Sequence, residues 1–325
     1  MTDARDSSHQ KIDDDEIKAA LERSGYLLEY RTSQVLDGRS WRTVSNYVYT
    51  DPATAVTREL DVVGTYSFRL KDNMGSIEAV MLAECVNNPQ PLAVFQRSGG
   101  ISGADAFALR TGGNISYILD KPGGIWQQTL TAADARSWHH CCGRPFASQF
   151  CSFDKKKSSG SAKDWPWKAS HDSSHFSCFE SLYKALGHLR AYQVESIRSG
   201  SIGKTARLEL YYPCLILQGD LITVDPSRDD LKIEKVPSAL YKTGVIEDGV
   251  NNILFIDVLT EAHLPTYCEL LETELSTLGA FLNKNPTSLQ STLEVQQAEM
   301  TKHLVERANL AHCDRDPPDW PPFAI

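Results

Sequence analysis

Thr57-Arg58-Glu59-Leu60-Asp61-Val62-Val63 and Met81-Leu82-Ala83-Glu84-Cys85-Val86-Asn87-Asn88-Pro89-Gln90-Pro91-Leu92-Ala93-Val94-Phe95 are the two stretches whose reading decides the fold. Each sets a carboxylate, Asp61 or Glu84, inside or beside an apolar run that otherwise reads as a buried strand. An isolated buried charge costs several kcal/mol unless a partner or a metal offsets it, so both acids need a reason. Two carboxylates at the ends of consecutive strands suit a hard divalent cation. The alternative is a pair of strand-end charges neutralised by Arg58 or Arg69.

The two stretches resemble the PD-(D/E)XK nuclease superfamily, whose members share the restriction-endonuclease-like fold. Asp61 matches the family's Asp and Glu84 its Glu, at a spacing that suits a hairpin. Arg58-Glu59-Leu60-Asp61 is similar to the RE(I/L)D run of many bacterial members, and Glu84-Cys85 with Asn87-Asn88-Pro89-Gln90-Pro91 to their ECKNNPQP. Arg144 to Cys151 and Tyr212 to Gly219 resemble further segments of those proteins. Val86 stands where the family carries its lysine.

The resemblance implies an α/β chain with a restriction-endonuclease-like α/β/α core around a central mixed sheet. It implies a metal-dependent phosphodiesterase acting on nucleic acid, DNA before RNA, in DNA processing or defence. The enzyme class expected is a Mg-dependent endonuclease. Asp61, Glu84 and the Cys85 carbonyl would hold Mg2+ or Mn2+. With no lysine at Val86, Gln96 on the next strand is the first substitute and Arg97 the second. Glu22 is a candidate because related enzymes often turn an acid of the first helix toward the metal. Alternation places Glu59 on the face of Asp61 as a candidate second acid, with Arg58 beside it. The alternative is a catalytically degenerate member of the same fold, binding nucleic acid, a nucleotide signal or a protein.

Composition is consistent with this reading. The chain has 325 residues, of which 41% are hydrophobic and 23% charged, ordinary globular values that permit a sizeable core. The net charge of −9 argues against a surface that coats nucleic acid generally, while leaving room for a local basic groove. No apolar run reaches the roughly 18 residues of a membrane span, and residues 1–10 lack an apolar signal core. The expectation is a cytoplasmic protein without membrane contact, its eight cysteines thiols, with homo-oligomerisation or a regulatory protein as partner modes.

Along the chain, residues 1–12 read as a disordered leader and 13–282 as the main domain, with an irregular insertion at about 98–170. Residues 283–325 read as a C-terminal helix and a Pro-rich tail. Asp13-Asp14-Asp15 caps a helix that Gly25 stops. Tyr26 to Tyr30 reads as a first strand. Strands follow at Tyr47–Tyr49, 57–68, 77–85 and 91–96, then 208–212, 214–217, 221–224 and 253–259. Helical spacing marks 179–192, 262–282 and 287–310.

His139-His140-Cys141-Cys142, with Cys151, His171, His175 and Cys178, has the donor types of a zinc site. Its spacing matches no regular zinc motif, so no zinc is expected.

Overall fold

The computed structural model describes residues 12–51, 54–100, 111–113, 139–155, 165–171, 173–198, 206–227, 230–247, 250–284 and 286. The expected leader, the helix at 287–310, the tail and most of the 98–170 excursion lie outside these residues.

Two helices open the chain, α1 (Asp14–Arg23) and α2 (Tyr26–Gly38). Asp13 caps α1 in a full capping box with Glu16, and its acidic first turn faces the positive end of the helix dipole. Gly25, expected to stop α1, instead starts α2, since α1 closes on Ser24. The strand expected at Tyr26–Tyr30 is therefore helix. Its buried positions are Leu28, Thr32, Ser33 and Leu36, a stripe of helical spacing in which two small hydroxyl residues stand among the leucines. Thr32 meets the Cys85 thiol at 3.6 Å and Ser33 meets Ser45 at 3.0 Å. These contacts let the helix lie close on the sheet.

The strands are β1 (Arg42–Thr50), β2 (Thr57–Arg69), β3 (Gly75–Val86), β4 (Leu92–Gly100), β5 (Thr111–Gly113), β6 (Pro145–Lys155) and β7 (Trp167–Ser170). After helix α3 (Ser173–Arg198) come β8 (Ala206–Leu217), β9 (Leu221–Asp225), β10 (Lys232–Lys235), β11 (Ser238–Glu247) and β12 (Val250–Thr260). Helix α4 (Leu264–Lys284) follows. They form one mixed sheet in the order β1-β2-β3-β8-β12-β11-β6-β4-β9-β10, with β5 on β8 and β7 on β6. β1–β2, β2–β3, β4–β6, β9–β10 and β11–β12 are antiparallel; β3–β8, β8–β12, β6–β11 and β4–β9 are parallel. The chain is thus α/β with a large mixed sheet, and no helix among the described residues is long and apolar enough to cross a membrane.

Side chains alternate across the sheet into two cores. Ile77, Ala79, Met81, Ala83 and Cys85 of β3 pack with α2 and α4. Val80 and Leu82 face the other way, onto Phe179, Leu182, Ala185 and Leu186 of α3. The segments 208–212 and 214–217, separate in the sequence reading, are one strand running through Pro213. β8 pairs β5 at residues 208–210 and β12 only from Cys214 onward, so on that side Pro213 lies between two partners, while on the other it stands opposite Leu82 of β3.

Gly279 of α4 lies against the sheet, where a Cβ would overlap the Phe68 ring. Gly279→Ala is expected to cost about 1–3 kcal/mol through overpacking, despite alanine's better helix propensity. Urea denaturation checks it.

Candidate metal centre at the end of strands β2 and β3

Asp61 and Glu84 lie on adjacent antiparallel strands whose regular pairing starts at Val62–Ala83. The β1–β2 register runs unbroken on both sides of Asn46 and Asp61 but omits those two. Asn46 has φ of 53°, a conformation that asparagine tolerates better than most residues. The irregularity reverses the pleat: Leu60 and Val62, two residues apart, enter opposite cores. Released from ladder pairing, Asp61 uses its side chain instead, and Oδ2 accepts the Cys85 N–H at 2.7 Å.

In a strand the N–H and C=O of one residue point to the same neighbour, so the Cys85 carbonyl faces the side that Asp61 occupies. The first turn of α2 comes in there. A Cβ placed on Gly25 would lie 3.6 Å from the Cys85 oxygen and 3.2 Å from Glu29 Oε1. Glu29 is thus the helix acid turned toward the site. Sequence reasoning missed it because it read Tyr26–Tyr30 as a strand. The available signal was the repeat Leu28, Thr32, Leu36 at four-residue intervals, which makes Glu29 a helix residue one position from the buried stripe.

The acids perturb one another. Burial pushes the Glu84 carboxyl up to about 8, with the charge of Asp61 adding to the rise and hydrogen bonds from Ser181 and Cys178 opposing it. Asp61 is also raised, by burial first, against the lowering hydrogen bond from Cys85 and with Glu59 adding to it. Glu29 is raised by burial and then by the charges of Asp61 and Glu59. Asp61 and Glu29 lie on the Cys85 side of this strand end, while Glu84 turns toward Ser181 and Cys178 of α3 and feels the charge of Asp61 across the strand. Neither Arg58 nor Lys184 neutralises them in this structure, because both bind Asp51, at 3.1 and 3.3 Å.

The remaining sequence candidates fall as follows. Glu59 is exposed, yet near enough for its charge to act on Asp61 and Glu29. Glu22 is exposed on α1, and its backbone carbonyl accepts from the Asn87 amide at 2.7 Å. Val86 is half-buried and packs on the α3-side core, the face Glu84 shares by alternation. Gln96 sits on β4 opposite Ala147, at a register shift, and on the strand path β8, β12, β11 and β6 separate β4 from β3. Arg97 lines a cleft with Phe146, Tyr241 and Lys242. The sequence pattern thus brings together Asp61, Glu84 and Cys85, and the strand path sets Gln96 apart from them.

Two segments quoted for the family likeness also meet. Asn88 Oδ1 accepts the Gly219 N–H at 2.9 Å and its amide donates to the Gln90 carbonyl at 3.1 Å. A Cβ on Gly219 would collide with the Asn88 carbonyl, which explains a glycine there. This tie fixes the turn after β3 to the turn after β8.

The His/Cys group divides in space. His171 and His175 lie against Phe150, with ring centres at 4.4 and 6.2 Å, and Cys178 hydrogen-bonds Glu84. His139, His140 and Cys141 lie on the α4 side of the sheet instead, against Tyr212 and Tyr267. None of the seven described cysteines is in a disulfide. No protein-family model, no curated protein and no solved structure matches this chain.

Proposed function

We propose that this chain is a metal-dependent phosphodiesterase of the restriction-endonuclease-like kind, acting on nucleic acid, with DNA the first substrate to test. The observation that supports the reading is the placement of Asp61 and Glu84 at one end of the adjacent strands β2 and β3, where burial and then the charge of Asp61 raise both Glu84 and Glu29. A buried carboxyl pushed up to about 8, as Glu84 is, beside two further raised acids is the kind of perturbation that clusters at functional sites. Asp61, Glu84 and the Cys85 carbonyl would hold Mg2+ or Mn2+, and the ion would polarise a phosphate oxygen and lower the pKa of a bound water. The chain's own residues fix the donors: the Cys85 N–H orients Asp61, and Ser181 and Cys178 orient Glu84.

The test is Mn2+ titration by calorimetry alongside cleavage of plasmid and single-stranded DNA in Mg2+ or Mn2+. Binding and cleavage that both disappear in Asp61→Ala support the reading. Val86, half-buried against the α3-side core at the position where the resemblance calls for a lysine, favours the degenerate binding module as the second reading. Mn2+ binding with no cleavage of any nucleic acid would select it.

Metal affinity should depend on pH with a definite sign. A cation needs Glu84 ionised, and in the metal-free protein that carboxyl holds its proton up to about pH 8. Mn2+ affinity is therefore expected to rise with pH from 6 to about 8, up to tenfold per unit, and to level off above that. A flat profile over this window would exclude Glu84 as a ligand.

A further inference from the structure

On the α4 side of the sheet lies a second set of chemistry-bearing groups, independent of the acidic site. His140 Nε2 stands 3.0 Å from Asp257 Oδ1 and 3.3 Å from the Cys141 sulfur. The donor atoms of His139, His140 and Cys141 all lie within 4.8 Å of one another. His139 stacks on His140 with ring centres 4.7 Å apart, and its Nδ1 accepts the Cys141 N–H at 3.2 Å. All four side chains are buried.

The surrounding groups hold these donors in place. His140 Nδ1 lies 2.9 Å from Glu274 Oε1, which also accepts the His140 backbone N–H. The other Glu274 oxygen accepts from the Tyr212 hydroxyl at 3.2 Å. The Tyr267 hydroxyl donates to Asp257 Oδ2 at 2.8 Å, leaving Oδ1 directed at His140. A histidine whose far nitrogen is held by a carboxylate is the usual outer arrangement around a zinc ligand.

We propose that His139, His140 and Cys141 form the core of a structural zinc site, with Asp257, whose Oδ1 lies 3.0 Å from His140 Nε2, as the carboxylate that reaches it from β12. Zn–N and Zn–S bonds at tetrahedral angles put neighbouring donors about 3.3–3.6 Å apart, and His140 Nε2 and Cys141 Sγ stand at 3.3 Å; Asp257 Oδ1, at 3.0 Å from Nε2, is at hydrogen-bond distance. The site would bind the segment leading into β6 to β12, with α4 behind it through Glu274. The expectation of no zinc rested on irregular spacing along the chain. Asp257 arrives from more than a hundred residues away, a distance at which no spacing rule operates.

The experiment uses the full chain, produced in zinc-supplemented medium and purified without chelator. Elemental analysis is expected to give about one zinc per chain, and crystals an anomalous peak at the zinc edge between His140, Cys141 and Asp257. Cobalt-substituted protein should show thiolate-to-metal charge-transfer absorption that Cys141→Ser removes and Cys142→Ser keeps. Wild-type protein without zinc, or an anomalous peak at any other position, overturns the proposal. The crystal measurement needs no variant, so misfolding of Cys141→Ser would leave the outcome decided. Zinc here is compatible with either outcome of the Mn2+ titration at Asp61 and Glu84.

Discussion

Glu84→Gln is expected to stabilise the metal-free protein above pH 8 while abolishing Mn2+ binding and lowering metal-dependent cleavage at least about 10²–10³-fold. The two effects have one cause. A carboxyl whose folded pKa of about 8 stands above its unfolded value is favoured in the folded state when protonated. Its contribution to stability is present at acid pH and is lost as pH rises from the ordinary glutamate range through about 8. Glutamine cannot ionise, so the variant escapes that loss. It keeps the size of the side chain and an oxygen that can accept from Ser181 and Cys178. The gain above pH 8 should be on the order of 2–4 kcal/mol, using about 1.4 kcal/mol per unit and discounting for relaxation around the charge. Urea melts of both proteins at pH 6 and pH 8.5 in EDTA read it directly. A variant less stable at both pH values, with Mn2+ binding intact, would make Glu84 a structural acid and remove it from the site. Stability given up at a position where a charge is needed is the usual mark of function.

The parts of this site that were legible in the sequence are those carried by local pattern. Asp61 and Glu84 stand out because each interrupts an apolar strand, and the strands fall at 57–69 and 75–86, close to the expected limits. The helix cap at Asp13 is carried by the local run Asp13-Asp14-Asp15 and needs no tertiary information, although the reciprocal Glu16 of the capping box was not read from it. Glu29 was hidden because a five-residue window rich in tyrosine and leucine reads as strand. The helix depends on Thr32 and Ser33 finding partners in Cys85 and Ser45. Tertiary contacts overrode propensity there.

Other features have no local signature at all. The pleat reversal at Asn46 and Asp61 undoes the alternation that would set Glu59 and Asp61 on one face. The separation of Gln96 from Glu84 follows from β4 joining β6 and β9 rather than β3. The His140 cluster joins a loop, a strand and a helix across more than a hundred residues of sequence. β11 carries Lys242 and Gly244 among its apolar residues, so its pattern is weak, and its ten pairings with β12 define it.

Val86→Lys is expected to raise metal-dependent cleavage by as much as about 10²–10³-fold, the worth of one preorganised electrostatic donor. The face of β3 makes this specific. Residues 84 and 86 share a side of the strand, and a lysine stem can run over the apolar surface of the α3-side core that Val86 now covers. The ammonium then lies beside Glu84, where an opposite charge lowers a carboxyl's pKa. Two readouts should move together: cleavage rises, and the pH at which Mn2+ binding levels off falls below 8. The gain will be smaller than the full donor value if the longer side chain strains a pocket built around valine. Adding Asp61→Ala should remove all activity gained. A wild-type protein that cleaves well and gains nothing from lysine would mean another group already supplies the charge. Arg58 is then the next variant, since its link to Asp51 would have to open. Should the lysine variant bind Mn2+ and still cleave nothing, the acids serve a binding site, and the degenerate reading replaces the enzymatic one.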